Sequence, residues 1–179
     1  MVKILIADDH AVVRRGVKQI LTEEFDKAVF GEASNGREVL QNIHEQDWDV
    51  AILDITLPDR NGLEILEELK GIRPKLSVLV LSIHREEQFA IRAIRAGAAG
   101  YLTKLSAPDE LVSAVKKIMS GGKYISPSLA EKLATALESQ SEKPPHDILS
   151  DREYQVACMI ASGKTVKEIA RELFLSEKT

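Results

Sequence analysis

The sequence predicts an α/β fold: a doubly wound domain of five parallel strands over residues 1–122. A linker with a short helix follows over 123–148, and the first part of an all-helical domain over 149–179. Three observations carry this. Short apolar runs alternate five times with segments of helical periodicity, the signature of strands laid parallel by helical crossovers. The polar stretch ESQSEKPPHD at 138–147 holds two prolines, lacks periodicity and reads as a linker. Beyond it the periodicity is helical only.

The elements follow in order. Val2 to Ala7 is short and nearly all apolar, as a strand buried on both faces must be. Val12, Val13, Val17, Ile20 and Leu21 then recur at helical spacing. A weaker strand covers Ala28 to Ala33, and a helix runs from about Arg37 to Gln46. The third strand, Val50 to Leu53, opens into a loop of turn residues, Pro58, Asn61 and Gly62. Ile65, Leu66 and Leu69 mark a helix that ends at Arg73-Pro74. Leu76 to Leu81 is the fourth strand; Phe89, Ile91 and Ile94 mark the fourth helix. Gly97 and Gly100 bracket a tight connection to a short strand at Tyr101 and Leu102. Leu111, Val112, Val115, Ile118 and Met119 stripe a fifth helix that starts at Pro108 and stops at Gly121-Gly122.

Ser126-Pro127 then predicts an N-cap and N1 proline opening a helix through Leu137. Past the linker, Ser150-Asp-Arg-Glu153 and Thr165-Val-Lys-Glu168 are capping boxes. Val156, Ala157, Ile160 and Ala161 form the expected apolar face of the first helix, with Ile169, Ala170 and Leu173 on the second. A third cap stands at Ser176, three residues before Thr179.

Polar residues occupy the C-terminal ends of the strands. Asp8 and Asp9 follow VKILIA, Asp54 follows VAIL, Ser82 follows VLVL, and Lys104 follows GYL. Parallel strands bring those ends to one edge, where open α/β sheets place their reactive groups. A carboxylate can attack phosphorus and form an aspartyl phosphate. Bringing two anions together calls for a divalent cation, and Asp8, Asp9 and Asp54 supply a partial cage of hard oxygens for Mg²⁺ (or Mn²⁺). Lys104 supplies a fixed positive charge for the transferring oxygens, and Ser82 a donor. Asp54 is the nucleophile of choice, because it ends the central strand and its loop is expected to leave it exposed. Taken alone, Asp8-Asp9 would be a solvated strand end; the register with Asp54, Ser82 and Lys104 makes it a site.

Composition excludes several classes. The single Cys158 forbids an internal disulfide and is expected as a small core residue. His10, His44, His84 and His146 lack ligand spacing and are assigned no metal. Arg14 and Arg15 are expected on a solvated helix face. No stretch approaches the ~20 apolar residues that span a bilayer, and no basic leader precedes the first strand, so a cytoplasmic protein is expected. The formal charge of −4 gives no global reason for nucleic-acid binding.

The segments ADD, LDITLPDRNG, LVLS and GYLTK resemble the receiver domain of two-component response regulators, a flavodoxin-like fold. DDH, GAAGYLTK and GGKYISP are similar to the NarL/FixJ branch. LSDREYQVACMIASGKTVKEIARELFLSEKT resembles the LuxR-type helix-turn-helix of that branch. The resemblance implies a phosphoprotein whose Asp54 accepts a phosphoryl group from a sensor histidine kinase. Asp9 would ligate Mg²⁺ directly, Asp8 partly through water, and the Thr56 backbone carbonyl would complete the set. Ser82 and Lys104 would bind the phosphoryl oxygens, and Tyr101 would swing inward as Ser82 is drawn to the phosphate. Thr56 and His84 would tune the phosphate's lifetime. Two residues depart from the common pattern: Leu105 stands where many receivers carry a proline after a cis peptide, and Ile83 is bulkier than the usual residue and narrows phosphoryl access.

The same resemblance implies promoter DNA as the target of the full-length output domain, with pairing of two chains. The recognition helix would begin after Ser176, which leaves only Glu177, Lys178 and Thr179 of it, and Lys178 and Thr179 as its DNA-facing start. From Ser150 on, basic and acidic side chains balance, whereas phosphate neutralisation needs a basic surplus. The 179 residues are therefore expected to bind DNA weakly or not at all. Met159, Ile160, Ile169 and Leu173, lacking their usual neighbours, are expected to cover themselves with a neighbouring molecule or the receiver's own surface. The competing functions are an aspartyl-phosphate phosphohydrolase, a stand-alone phosphorylation-switched interaction module, and a flavodoxin-like cofactor binder. The first wants an acid two residues after the nucleophile, where Thr56 stands; the last wants a glycine-rich loop after Ala7, which is missing.

Overall fold

A computed structural model describes residues 1–127, 129–131, 134 and 149–176. Its order is β1 (Lys3–Ala7), α1 (Ala11–Glu24), β2 (Val29–Ala33), α2 (Gly36–Glu45), β3 (Val50–Leu53), α3 (Gly62–Ile72), β4 (Ser77–Ser82), α4 (Glu86–Arg95), β5 (Gly100–Thr103) and α5 (Ala107–Met119). Two further helices follow, α6 (Asp151–Ala161) and α7 (Val166–Glu172). Every paired strand is parallel, in the order β2-β1-β3-β4-β5.

Alternation along the strands divides the core. Leu5, Ala7, Ala51, Leu53, Val78 and Val80 face α2, α3 and α4, packing on Val39, Leu66 and Phe89. Ile4, Ile6, Val50, Ile52, Leu79 and Leu81 face α1 and α5, packing on Leu21, Leu111 and Val115. Both faces of β1, β3 and β4 are covered, which is why their sequences are continuous apolar runs rather than alternating ones.

Element bounds shift from the expected ones by a residue or two, because ladders and caps rather than composition set the ends. The fifth helix starts at Ala107 behind Ser106, with Pro108 inside its first turn. The fold does not stop at Gly122: Tyr124 bridges to Gly100, its N–H donating to Ala99, and Leu129 joins the core. Ser126 caps the next turn through Leu129 N–H. The run of that helix to Leu137, and the 138–147 linker, lie largely or wholly outside the described residues.

In α6 the inward face differs from the expected one. Gln155 and Met159 are buried, while Ile160 is 59% exposed. Two partners turn the helix: Met159 packs with Ile169 and Leu173, and Gln155 faces the receiver. Met159, Ile169 and Leu173 thus cover one another, with Val156 and Leu175 at their edge. Ile160 alone of that group stays bare.

Candidate active site at the carboxyl edge of the sheet

The strand order reverses between β1 and β3, and such a switch point opens a crevice beyond the strand ends. Asp8 and Asp54 stand on its two sides. Each still donates its backbone N–H to the ladder, Asp8 to Ala33 O at 3.1 Å and Asp54 to Ala7 O at 2.9 Å, so sheet geometry positions both carboxylates. Lys104 is fixed likewise, its N–H donating to Ser82 O at 2.7 Å.

The Lys104 ammonium reaches across. Its Nζ lies 2.7 Å from Asp54 Oδ2 and 2.6 Å from Asp8 Oδ2. The first contact is a directed hydrogen bond. The second is coulombic, since Asp8 Oδ2 has no partner of proper hydrogen-bond geometry. Burial disfavours charge on Lys104, but the neighbouring Asp54 and Asp8 carboxylates outweigh it and hold the pKa above the ordinary lysine value. Asp54 moves the other way from a normal carboxyl: burial pushes it up to about 6, against the pull of Lys104 and with the push of Asp8.

The expectation of an exposed Asp54 fails. It is 1% exposed. Lys104 and Asp8 close one side, and Thr56 N–H donates to its Oδ1 at 3.2 Å. Gly62 closes another, packed so near the chain that a Cβ there would stand 2.1 Å from Asp54 O.

Two buried carboxylate oxygens, Asp8 Oδ2 and Asp9 Oδ1, accept no hydrogen bond. Each lies near a cationic or titratable nitrogen, Lys104 Nζ or His10 Nδ1, the latter 2.6 Å from Asp9. Oxygens of that kind fit a hard divalent cation. His10 was assigned no metal from sequence, yet its ring joins Asp8 and Asp9 in one cluster of ligand-type atoms. The contiguity of Asp8, Asp9 and His10 was the available signal. Arg14 also departs from a solvated face: it donates to Asp8 O at 2.7 Å and pairs with Glu32 at 3.1 Å. Arg15 remains exposed.

Asp9, Asp54, Thr56 and Lys104 line one cavity of about 360 Å³. Ser82 is fully buried, and its Oγ accepts from His84 N–H at 3.1 Å. Tyr101 is already inward and buried, its hydroxyl donating to His84 O at 2.9 Å. The peptide bond from Lys104 to Leu105 is trans, as are all described ones. Lys178 and Thr179 lie outside the described residues. Cys158 is half-buried and packs against the receiver's core.

Sequence reasoning missed Asn61 and Gln155. Both are buried polar side chains, and Asn61 Nδ2 donates to Gln155 Oε1 at 3.2 Å. Ninety-four positions separate them, so no local pattern could have joined them. Arg171, Glu172 and Phe174 of the output helices were also missed as walls of the acidic cavity.

A 2-1-3-4-5 parallel sheet with an acidic, lysine-bearing crevice at its switch point defines a receiver fold. Comparison with known proteins agrees. Residues 4–116 match the family described as response regulator receiver domain, and residues 147–179 match bacterial regulatory proteins of the luxR family. The chain is 38% identical over its whole length to response regulator GacA of Pseudomonas aeruginosa, covering 84% of that protein. It is 42% identical to transcriptional regulatory protein UhpA of Salmonella typhimurium, covering 86%. A solved structure of RcsB from Salmonella enterica serovar Typhimurium, bound to promoter rprA with a phosphomimetic BeF3−, superposes with a TM-score of 0.66 at 26% identity. That match covers 99% of this chain and 86% of the other. The chain belongs to the response regulators, with a receiver domain and a LuxR-type output segment. Among the described residues, no helix is long and apolar enough to cross a membrane.

Proposed function

We propose that Asp54 is the phosphoacceptor of a cytoplasmic transcription regulator, taking its phosphoryl group from the phosphohistidine of a sensor kinase. The observation that carries this is the ammonium of Lys104 held between Asp54 and Asp8, beside buried carboxylate oxygens that lack hydrogen-bond partners. An Asp54 oxygen attacks phosphorus in line with the leaving imidazole nitrogen; the O–P bond forms as the N–P bond breaks. Lys104, already on Asp54 Oδ2, is placed to follow the charge onto a phosphoryl oxygen. The Ser82 hydroxyl supplies a second donor on leaving its place against His84 N–H. Asp8, Asp9, Asp54 and the Thr56 carbonyl would hold Mg²⁺ or Mn²⁺, which when bound screens the approach of two anions.

Thr56 counts against a phosphohydrolase. The position wanted for an acid carries a hydroxyl, held within 3.3 Å of His84 Nε2 and 3.2 Å of Gln155 Nε2. Intact mass of the chain after incubation with acetyl phosphate and Mg²⁺ tests the proposal. A gain of one phosphoryl group is expected, lost in Asp54→Ala and on chelation of the metal. A phosphoryl gain that survives Asp54→Ala refutes the assignment.

A further inference from the structure

The run Asp8-Asp9-His10 carries a third residue that the phosphoryl chemistry above does not use. His10 is the N-cap residue of α1, yet its side chain makes no capping hydrogen bond. Its position is fixed by other means. The His10 backbone N–H donates to Asp8 Oδ1 at 2.8 Å, and Arg14 steadies the same turn by donating to Asp8 O at 2.7 Å. The imidazole therefore lies against the carboxylate pair, with Nδ1 2.6 Å from Asp9 Oδ1 and 3.3 Å from Asp8 Oδ1.

Two observations point beyond an ordinary ion pair. Asp9 Oδ1 is buried and accepts no hydrogen bond of proper geometry, although Nδ1 is so near. A histidine serving only as counter-charge to Asp9 would aim its N–H at that oxygen. Two such atoms, close but without a directed bond, are spaced as neighbouring ligands of one ion are. Ligands about 2.1 Å from an octahedral first-row ion stand about 3 Å apart, and the two Nδ1 distances bracket that spacing. The second observation is what these atoms face. Asp9, His10, Asp54 and Thr56 line the same cavity of about 360 Å³. Beside it Asp8 Oδ2, on a side chain only 3% exposed, likewise lacks a hydrogen-bond partner. One ligand-type atom each from Asp8, Asp9 and His10 falls within 4.8 Å of the other two.

We propose that His10 Nδ1 is a further ligand of the divalent cation beside Asp54, and that it turns the site toward later first-row ions, Fe²⁺ to Ni²⁺, over Mg²⁺. This inference rests on Asp8, Asp9 and Asp54 being the carboxylates that hold the cation. Mg²⁺ favours oxygen and sheds its waters reluctantly, so an imidazole adds little to its binding. Ions from Fe²⁺ to Ni²⁺ take imidazole readily, and their affinity for mixed nitrogen and oxygen sites climbs along the row. Ligation through Nδ1 leaves the ring proton on Nε2. The His10 side chain is 64% exposed, so that proton needs no buried partner.

Calorimetric titration of the 179-residue chain with Co²⁺ and with Mg²⁺, in the parent and in His10→Ala, tests it. The substitution removes an exposed side chain with no capping bond, so the fold is kept. Co²⁺ affinity is expected to fall about tenfold in His10→Ala while Mg²⁺ affinity changes less than about twofold. Proton NMR of the Co²⁺-loaded parent should show strongly shifted imidazole C–H resonances that vanish in His10→Ala. Equal losses for the two ions overturn the preference, and unchanged Co²⁺ affinity or the lack of such resonances overturns the ligand. The acceptor reading is separable from this outcome. Co²⁺ bound with the imidazole signature, in a chain that gains no phosphoryl group from acetyl phosphate, overturns Asp54 as acceptor and leaves His10 as ligand.

Discussion

Two buried titrating groups at the carboxyl edge of the sheet, His84 and Asp54, pull stability in opposite directions. Burial lowers the His84 pKa to about 4 from an ordinary 6.5. The folded state therefore resists a proton that the unfolded chain takes, so His84 removes stability as pH falls from about 6.5 toward 4. Asp54, raised to about 6, binds its proton more tightly when folded, so it removes stability as pH rises from about 4 to 6. Comparing the parent with His84→Gln cancels the Asp54 contribution. Between pH 6.5 and 5 the parent should lose about 2 kcal/mol more than the variant in urea unfolding. Parallel curves for the two proteins would remove the buried neutral imidazole from the account. Gly62 is the other residue-scale constraint. An added Cβ would meet Asp54 O at 2.1 Å and Ile55 Cα at 2.7 Å, and backbone cannot yield as a side-chain tip does. Gly62→Ala should destabilise by about 1–3 kcal/mol, seen as a lower urea midpoint; an unchanged midpoint would mean the loop relaxes freely.

At the scale of elements, α6 and α7 are short helices that depend on their caps. Ser150 accepts from Glu153 N–H while Glu153 reaches back to Ser150 N–H, and Thr165 and Glu168 repeat the exchange. Both boxes were readable from four-residue strings, because capping is a local interaction. Ser150→Ala should remove about 1 kcal/mol, and because α6 carries Gln155 the loss should appear first as faster amide exchange in α6 and α7 rather than in the sheet. Uniform acceleration across the chain would contradict that separation. The strands were readable for a different reason: burial on both faces leaves no polar alternative at Ile4, Leu5 or Ile52. The inward face of α6 was not readable. Its sequence offers apolar residues on more than one side, and the buried side was settled by a glutamine that a pattern search counts as polar.

Across the whole molecule, the assembly of the site follows from topology and its closure does not. Asp8, Asp54, Ser82 and Lys104 were predictable because parallel strands must deliver their ends to one edge, whatever the details of packing. The contact of Gln155 with Thr56 and His84 joins residues 99 and 71 positions apart. The burial of Asp54 involves Lys104, 50 positions away, and the inward Tyr101 meets His84 across 17. Composition and periodicity by themselves determined the parallel α/β class, the order of its elements, the residues of the acidic crevice and the helical character of the tail. Those are consequences of local propensity, of hydrophobic alternation and of the chirality of crossovers, which act along the chain. Where the output helices rest, and that they rest on the mouth of the reactive cavity, was decided by tertiary structure alone. Such docking depends on complementarity between surfaces that exist only after both halves have folded.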